Sequence, residues 1–177
     1  MSSAIRAGFS ALLLLLIMLS PPINVWADAL DIEPGDNLPM PDLRWQDSDG
    51  KEHHLGNTTG KPRILHFWAA WCIPCREELP AMLRWQAGNR DIEVIALSLD
   101  QRIAQTKHFI KKHQLSMPAL LLNEDDSNAL GIPVVPYTIL VTADGNFSGH
   151  IAGIADWDNT DFSRRLRKHF DLTDTSP

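Results

Sequence analysis

Beyond residue 41, short continuous apolar runs alternate with stretches that are apolar on one side only. Ile64–Trp68, bounded by Gly60-Lys61-Pro62, and Ile92–Leu99 are predominantly apolar and short, which predicts two buried strands. Between them, Arg76–Trp85 sets Leu79, Met82 and Leu83 on one side, predicting an amphipathic helix that runs to about Ala87 and kinks at Pro80. Gln101–Gln114 reads as a second helix, with Ile103, Phe109 and Ile110 facing the core and Lys107, Lys111 and Lys112 outside. Pro118–Leu122 predicts a short strand and Glu124–Leu130 a short helix. An apolar strand ends at Val141, the turn Thr142–Asn146 leads to a last strand at Phe147–Gly153, and Trp157–Phe170 closes the chain as a helix with Phe162, Leu166 and Phe170 inward. Ahead of all these, Leu43–Gln46 and Lys51–Leu55 flank an Asp49-Gly50 turn, the pattern of a β-hairpin. Strands alternating with helices define an α/β protein.

The N-terminal 27 residues follow another pattern. Arg6 precedes an apolar segment, Ala7–Leu19, which Ser20-Pro21-Pro22 ends, and Val25-Trp26-Ala27 supplies small residues for a cleavage site before Asp28. This is a targeting segment. Thirteen residues fall short of the about 20 that span a bilayer comfortably, so residues 1–27 read as a cleaved signal peptide or a retained membrane anchor. Either places the domain in the periplasm. No cysteine lies near the junction, which excludes a lipoprotein. Residues 28–41 are rich in Pro, Asp and Gly and read as a linker, 42–170 as the domain, and 171–177 as a frayed polar tail.

A formal charge of −6, with 16 basic and 22 acidic residues, argues against nucleic acid as a partner. The basic run Arg164-Arg165-Leu166-Arg167-Lys168 reads as the solvated face of the last helix. His53 and His54 are adjacent on a strand and point to opposite faces, so they do not chelate one ion together.

Both cysteines of the chain, Cys72 and Cys75, fall where the first buried strand ends and the first long helix begins. A helix N-terminus presents unpaired N–H groups and positive potential, which stabilise a thiolate at Cys72 below its ordinary pKa of about 8.5. Pro74 suits the first turn because its missing N–H has no partner there. With two cysteines in an oxidising compartment, no framework of structural disulfides arises. The pair is suited to thiol–disulfide exchange, with Cys72 as nucleophile and the more buried Cys75 resolving the mixed disulfide.

Trp71-Cys72-Ile73-Pro74-Cys75, continued by Arg76-Glu77-Glu78-Leu79-Pro80, resembles the active site of the thioredoxin superfamily, in particular its extracytoplasmic TlpA-like and ResA-like branch with the cytochrome c maturation thioredoxins. The similarity covers roughly residues 35–170. It implies a thioredoxin-like fold: a central mixed β-sheet flanked by helices, an N-terminal β-hairpin, and a central αβ insertion at residues 118–130. It also implies that Pro136 is a cis-proline facing the cysteines, baring the backbone of Val135 for a substrate strand. Glu78 matches the family glutamate that relays protons and tunes the thiol pKa. Trp71 and Tyr137 are implied substrate contacts, Trp71 through a ring that shields the disulfide. Two positions depart from the pattern. His66 stands where thioredoxins carry a buried aspartate, and reads as a packed core histidine. Tyr137 stands where the cytochrome maturation proteins carry an acid.

The expected function is a monomeric periplasmic thiol–disulfide oxidoreductase that reduces disulfide-containing proteins and is re-reduced by a membrane electron donor resembling DsbD or CcdA. No cofactor or metal is expected. An oxidase or isomerase of the DsbA or DsbC type is the alternative within enzymes. A copper-binding module using the same cysteines is the alternative from another class.

Overall fold

One strand, β4 (Arg63–Trp68), is buried at all six positions and organises the sheet around it. The computed structural model describes residues 32–56 and 60–173. The targeting segment 1–27, the start of the linker and the last four residues of the tail lie outside the described residues. The other elements are β1 (Glu33–Pro34), β2 (Arg44–Gln46), β3 (Glu52–His54), α1 (Ile73–Gly88), β5 (Glu93–Ser98), α2 (Ile103–Lys112), β6 (Leu121–Leu122), α3 (Glu124–Leu130), β7 (Tyr137–Val141), β8 (Phe147–Ala152) and α4 (Thr160–His169). The eight strands form one mixed sheet in the order β1-β8-β7-β4-β5-β6-β2-β3. β4 runs parallel to β5 and antiparallel to β7.

Alternation along β4 divides the core. Ile64 and Trp68 point to a first face covered by α1, α4 and Phe109 of α2; Leu65 and Phe67 point to a second, covered by Leu43, Trp45 and Leu55 of the hairpin region and by Leu130 of α3. His66 shares the parity of Ile64 and Trp68 and is fully buried on the first face. The expected α/β sandwich of thioredoxin type is therefore present, hairpin and central αβ unit included.

Four local expectations change. The linker contributes an edge strand: Glu33 and Pro34 pair with His150 and Gly149 of β8. Gly149 permits this, since a Cβ there would stand 2.7 Å from the Glu33 carbonyl oxygen. The last helix begins at Thr160 rather than Trp157, because the Asn159 side chain accepts the N–H groups of Asp161 and Phe162 and caps it there. Arg167 is not on a solvated face. It is buried, and its guanidinium donates to Asp91, Asn89 and the Thr173 carbonyl. These bonds hold the Thr173 carbonyl, and the Asp171 and Leu172 N–H groups donate to the Lys168 and Arg167 carbonyls, so residues 171–173 are tied to the helix where a frayed tail was expected.

Candidate active site

The site is built on the turn from β4 into α1. Asp100, just after β5, pins that turn by accepting the Ala70 N–H at 3.0 Å, while its other carboxylate oxygen accepts the hydroxyls of Ser98 and Thr106. The Leu99 N–H donates to the Trp68 carbonyl at 2.8 Å, holding the end of β4 against the chain leaving β5. Cys72 is then the N-cap of α1, with extended backbone, and its Sγ receives the Cys75 N–H at 3.1 Å. Sulfur at this position meets the positive end of a 16-residue helix. Pro74 lies in the first turn, where its lack of an N–H costs nothing.

Cys72 and Cys75 form a disulfide, Sγ–Sγ 2.06 Å. Both sulfurs are shielded, Cys75 completely and Cys72 with 5 % of its surface open. The Val135–Pro136 peptide is cis, and the Val135 carbonyl oxygen lies 3.5 Å from Cys72 Sγ. Trp71, beside the disulfide, is 68 % exposed. Of the five large apolar side chains exposed among the described residues, Trp71, Ile73, Val134 and Ile154 all belong to the segments flanking the disulfide, Pro136 and Ala155.

Behind the sulfurs, Glu78 occupies the next turn of α1 and is buried, not solvent-facing. Its Oε1 accepts from Trp157 Nε1 at 2.5 Å and from the Ala155 N–H at 3.1 Å. Its Oε2 is buried without a partner among the described residues. Burial pushes this carboxyl up to about 7, against the pull of its two donors. The Trp157 ring also meets His66 edge-on, centroids 6.2 Å apart. His66 Nδ1 lies 3.1 Å from the Thr138 hydroxyl, and burial pushes the imidazole down to about 4, so it is neutral at physiological pH.

Trp71, Cys72, Cys75, Val135 and Pro136 are thus brought together, with Glu78 one turn beneath. Tyr137 is not with them. It follows Pro136 on the opposite side of β7, packs against the second face and stacks on His150 at 5.3 Å. Trp157, Ala155, Asp100 and Thr138 went unread in the sequence. Each acts through a partner distant along the chain, which no local pattern in the sequence marks. Among the described residues, no group of three or more His, Cys, Asp or Glu side chains is arranged to hold a metal ion.

A thioredoxin-like sheet carrying a CxxC disulfide opposite a cis-proline defines a class, and comparison with known proteins gives the family. The chain belongs to the AhpC/TSA family, whose profile matches residues 36–148. Among curated relatives it is similar to the thiol-disulfide oxidoreductase ResA of Geobacillus thermodenitrificans, 29% identical over 64% of this chain and 67% of that one. ResA of Bacillus thuringiensis subsp. konkukian is 32% identical over 60% of this chain and 64% of its own length. The Bacillus subtilis ResA is 24% identical over 84% of each. The first two matches therefore span about two thirds of those relatives' length. Among solved structures, a thioredoxin-family thiol:disulfide interchange protein of Chlorobium tepidum superposes with a TM-score of 0.63 at 26% identity, covering 77% of this chain and 98% of that one. A thiol:disulfide interchange protein from Bacteroides sp., at 22% identity and a TM-score of 0.65, shares the fold over 80% of this chain and 93% of its own. Family, fold and cysteine pair make this chain a thioredoxin-like oxidoreductase.

Proposed function

We propose that the chain is a periplasmic protein-disulfide reductase. The observation that carries this reading is the position of Cys72. It caps α1, receives the Cys75 N–H, and faces the bared Val135 carbonyl across an apolar, exposed rim. A substrate strand lying on that rim pairs with the Val135 backbone while Trp71 covers the reacting sulfurs. The Cys72 thiolate attacks one substrate sulfur, forming the mixed disulfide and releasing the other as a thiolate that takes a proton. Cys75, deprotonated, then attacks Cys72 Sγ, and the second substrate thiolate leaves and is protonated. Two electrons and two protons pass to the substrate, and the Cys72–Cys75 disulfide remains. In this reading Glu78, one turn along α1 from Cys75 and raised to about 7, takes the Cys75 proton.

The oxidised protein is returned to the dithiol by a membrane electron donor resembling DsbD or CcdA. It acts as a monomer, with neither metal nor organic cofactor, exported by residues 1–27 or anchored through residues 7–19. No helix among the described residues is long and apolar enough to cross a membrane. Trapping tests the exchange roles. In a periplasmic extract, Cys75→Ser should accumulate mixed disulfides through Cys72, and Cys72→Ser should accumulate none. Trapping by Cys72→Ser and none by Cys75→Ser would reverse the assignment of nucleophile and resolving cysteine, and equal trapping by both would remove the distinction.

A further inference from the structure

Beside Trp71, away from the Val135 backbone, the structure holds a cleft of about 530 Å³ whose lining is basic. Arg76 reaches it from α1, one turn after Cys72, while Arg102 and Lys112 reach it from the start and end of α2. Trp71 and Phe109 supply its apolar walls. None of these three cations has an ion-pair or hydrogen-bond partner for its side-chain charge among the described residues, whereas Arg44, Arg84 and Arg167 each face an aspartate. The one acid lining the cleft, Asp100, is 7 % exposed and already accepts from Ala70, Ser98 and Thr106.

This concentration of positive charge runs against the rest of the chain. Residues 101–123 contain Arg102, Lys107, Lys111 and Lys112 and no Asp or Glu, in a protein of formal charge −6. Three larger clefts among the described residues, of about 620, 720 and 810 Å³, are lined by neither the cysteines, Trp71 nor the residues around Pro136. Like charges left unpaired around a concavity repel one another and gain when an anion enters it. Arg76 ties the concavity to the disulfide, so its occupant is attached to a molecule reacting there. A flat lipid surface does not fill a cleft. A polypeptide side chain does.

We infer that this cleft selects protein substrates, by taking acidic side chains that flank the target disulfide. The inference rests on the reductase reading and names the substrate class for it: acidic polypeptide segments, docked by Val135 on one side of Cys72 and by Arg76, Arg102 and Lys112 on the other.

The test uses the dithiol protein and two disulfide peptides that differ only in Glu or Gln directly flanking the cysteine. The expected result is reduction of the Glu peptide about tenfold faster at low salt, with the advantage shrinking as salt rises. In the Arg102→Glu/Lys112→Glu protein the preference should vanish or invert. Equal rates on both peptides at every ionic strength would overturn the inference while leaving the reductase reading intact; no reduction of either peptide would overturn the reductase reading. Binding to phosphatidylglycerol vesicles without discrimination between the peptides would overturn it in favour of a membrane-facing role. The salt dependence of the unmodified protein decides the matter even if the variant does not fold.

Discussion

Trp157 stands between two buried ionisable groups of opposite habit, donating its Nε1–H to Glu78 at 2.5 Å and meeting His66 with its ring 6.2 Å away. Burial disfavours the charged form of both, raising the carboxyl to about 7 and lowering the imidazole to about 4. His66 is therefore neutral at physiological pH, and Glu78 is the one of the two that changes charge near neutrality.

Stability against pH separates the two groups. Between about pH 4.5 and 7, folded Glu78 keeps a proton that the unfolded chain has lost, so its contribution to stability is full below 4.5 and declines as pH rises through 7. His66 works in the other direction. Unfolded histidine gains a proton below about 6.5, whereas the folded imidazole resists until about 4, so stability declines as pH falls through that window. The two slopes oppose each other in the parent protein. Urea unfolding across pH should show Glu78→Gln losing roughly 3 kcal/mol from pH 6.5 down to 4, and His66→Leu losing a similar amount from pH 4.5 up to 7. Parallel profiles for parent and variants would remove both groups from this role.

Kinetics test Glu78 more directly. Glu78→Gln keeps the side chain's size and its acceptor for Trp157 but removes the titrating oxygen. Disulfide reduction at neutral pH should slow by roughly a hundredfold, with a shifted Cys72 thiol titration. Trp157→Phe withdraws one donor from the carboxylate, which raises the Glu78 pKa further and costs about 1–3 kcal/mol of stability. An unchanged pH–rate profile in both variants would reject the proton-relay role.

Arg167 is held by a planar fork. It donates through Nη1 to Asn89 and Asp91 and through Nη2 to Asp91 and Thr173, with 3 % of its side chain exposed. Lysine offers no such fork. Arg167→Lys should lower stability by about 2 kcal/mol, since a buried ammonium cannot reach Asp91, Asn89 and Thr173 together and is left short of partners. Calorimetry showing an unshifted midpoint would return Arg167 to the solvated face that the sequence suggested.

What the sequence reveals here depends on how local the cause is. The helix Glu124–Leu130 begins after an asparagine cap and stops at Gly131, whose φ of +58° suits glycine, and the sequence reading matches its bounds. The CxxC turn is equally local. The implied cis bond before Pro136 is present, though only the resemblance pointed to it. Glu78 was legible as a candidate but not as a buried group, because its donors lie 77 and 79 residues away. Tyr137 follows Pro136 in sequence, yet strand alternation turns it away from the disulfide. The β1 strand was hidden by its composition: Glu33-Pro34-Gly35 carries turn signals, and its pairing depends on Gly149.

The reduction potential of the Cys72–Cys75 pair tests the central claim, reductase chemistry at this site, most directly. Equilibration of the purified domain with dithiothreitol should give a reversible two-electron couple near thioredoxin's about −270 mV. A value near DsbA's about −120 mV would make the protein an oxidant and contradict the account.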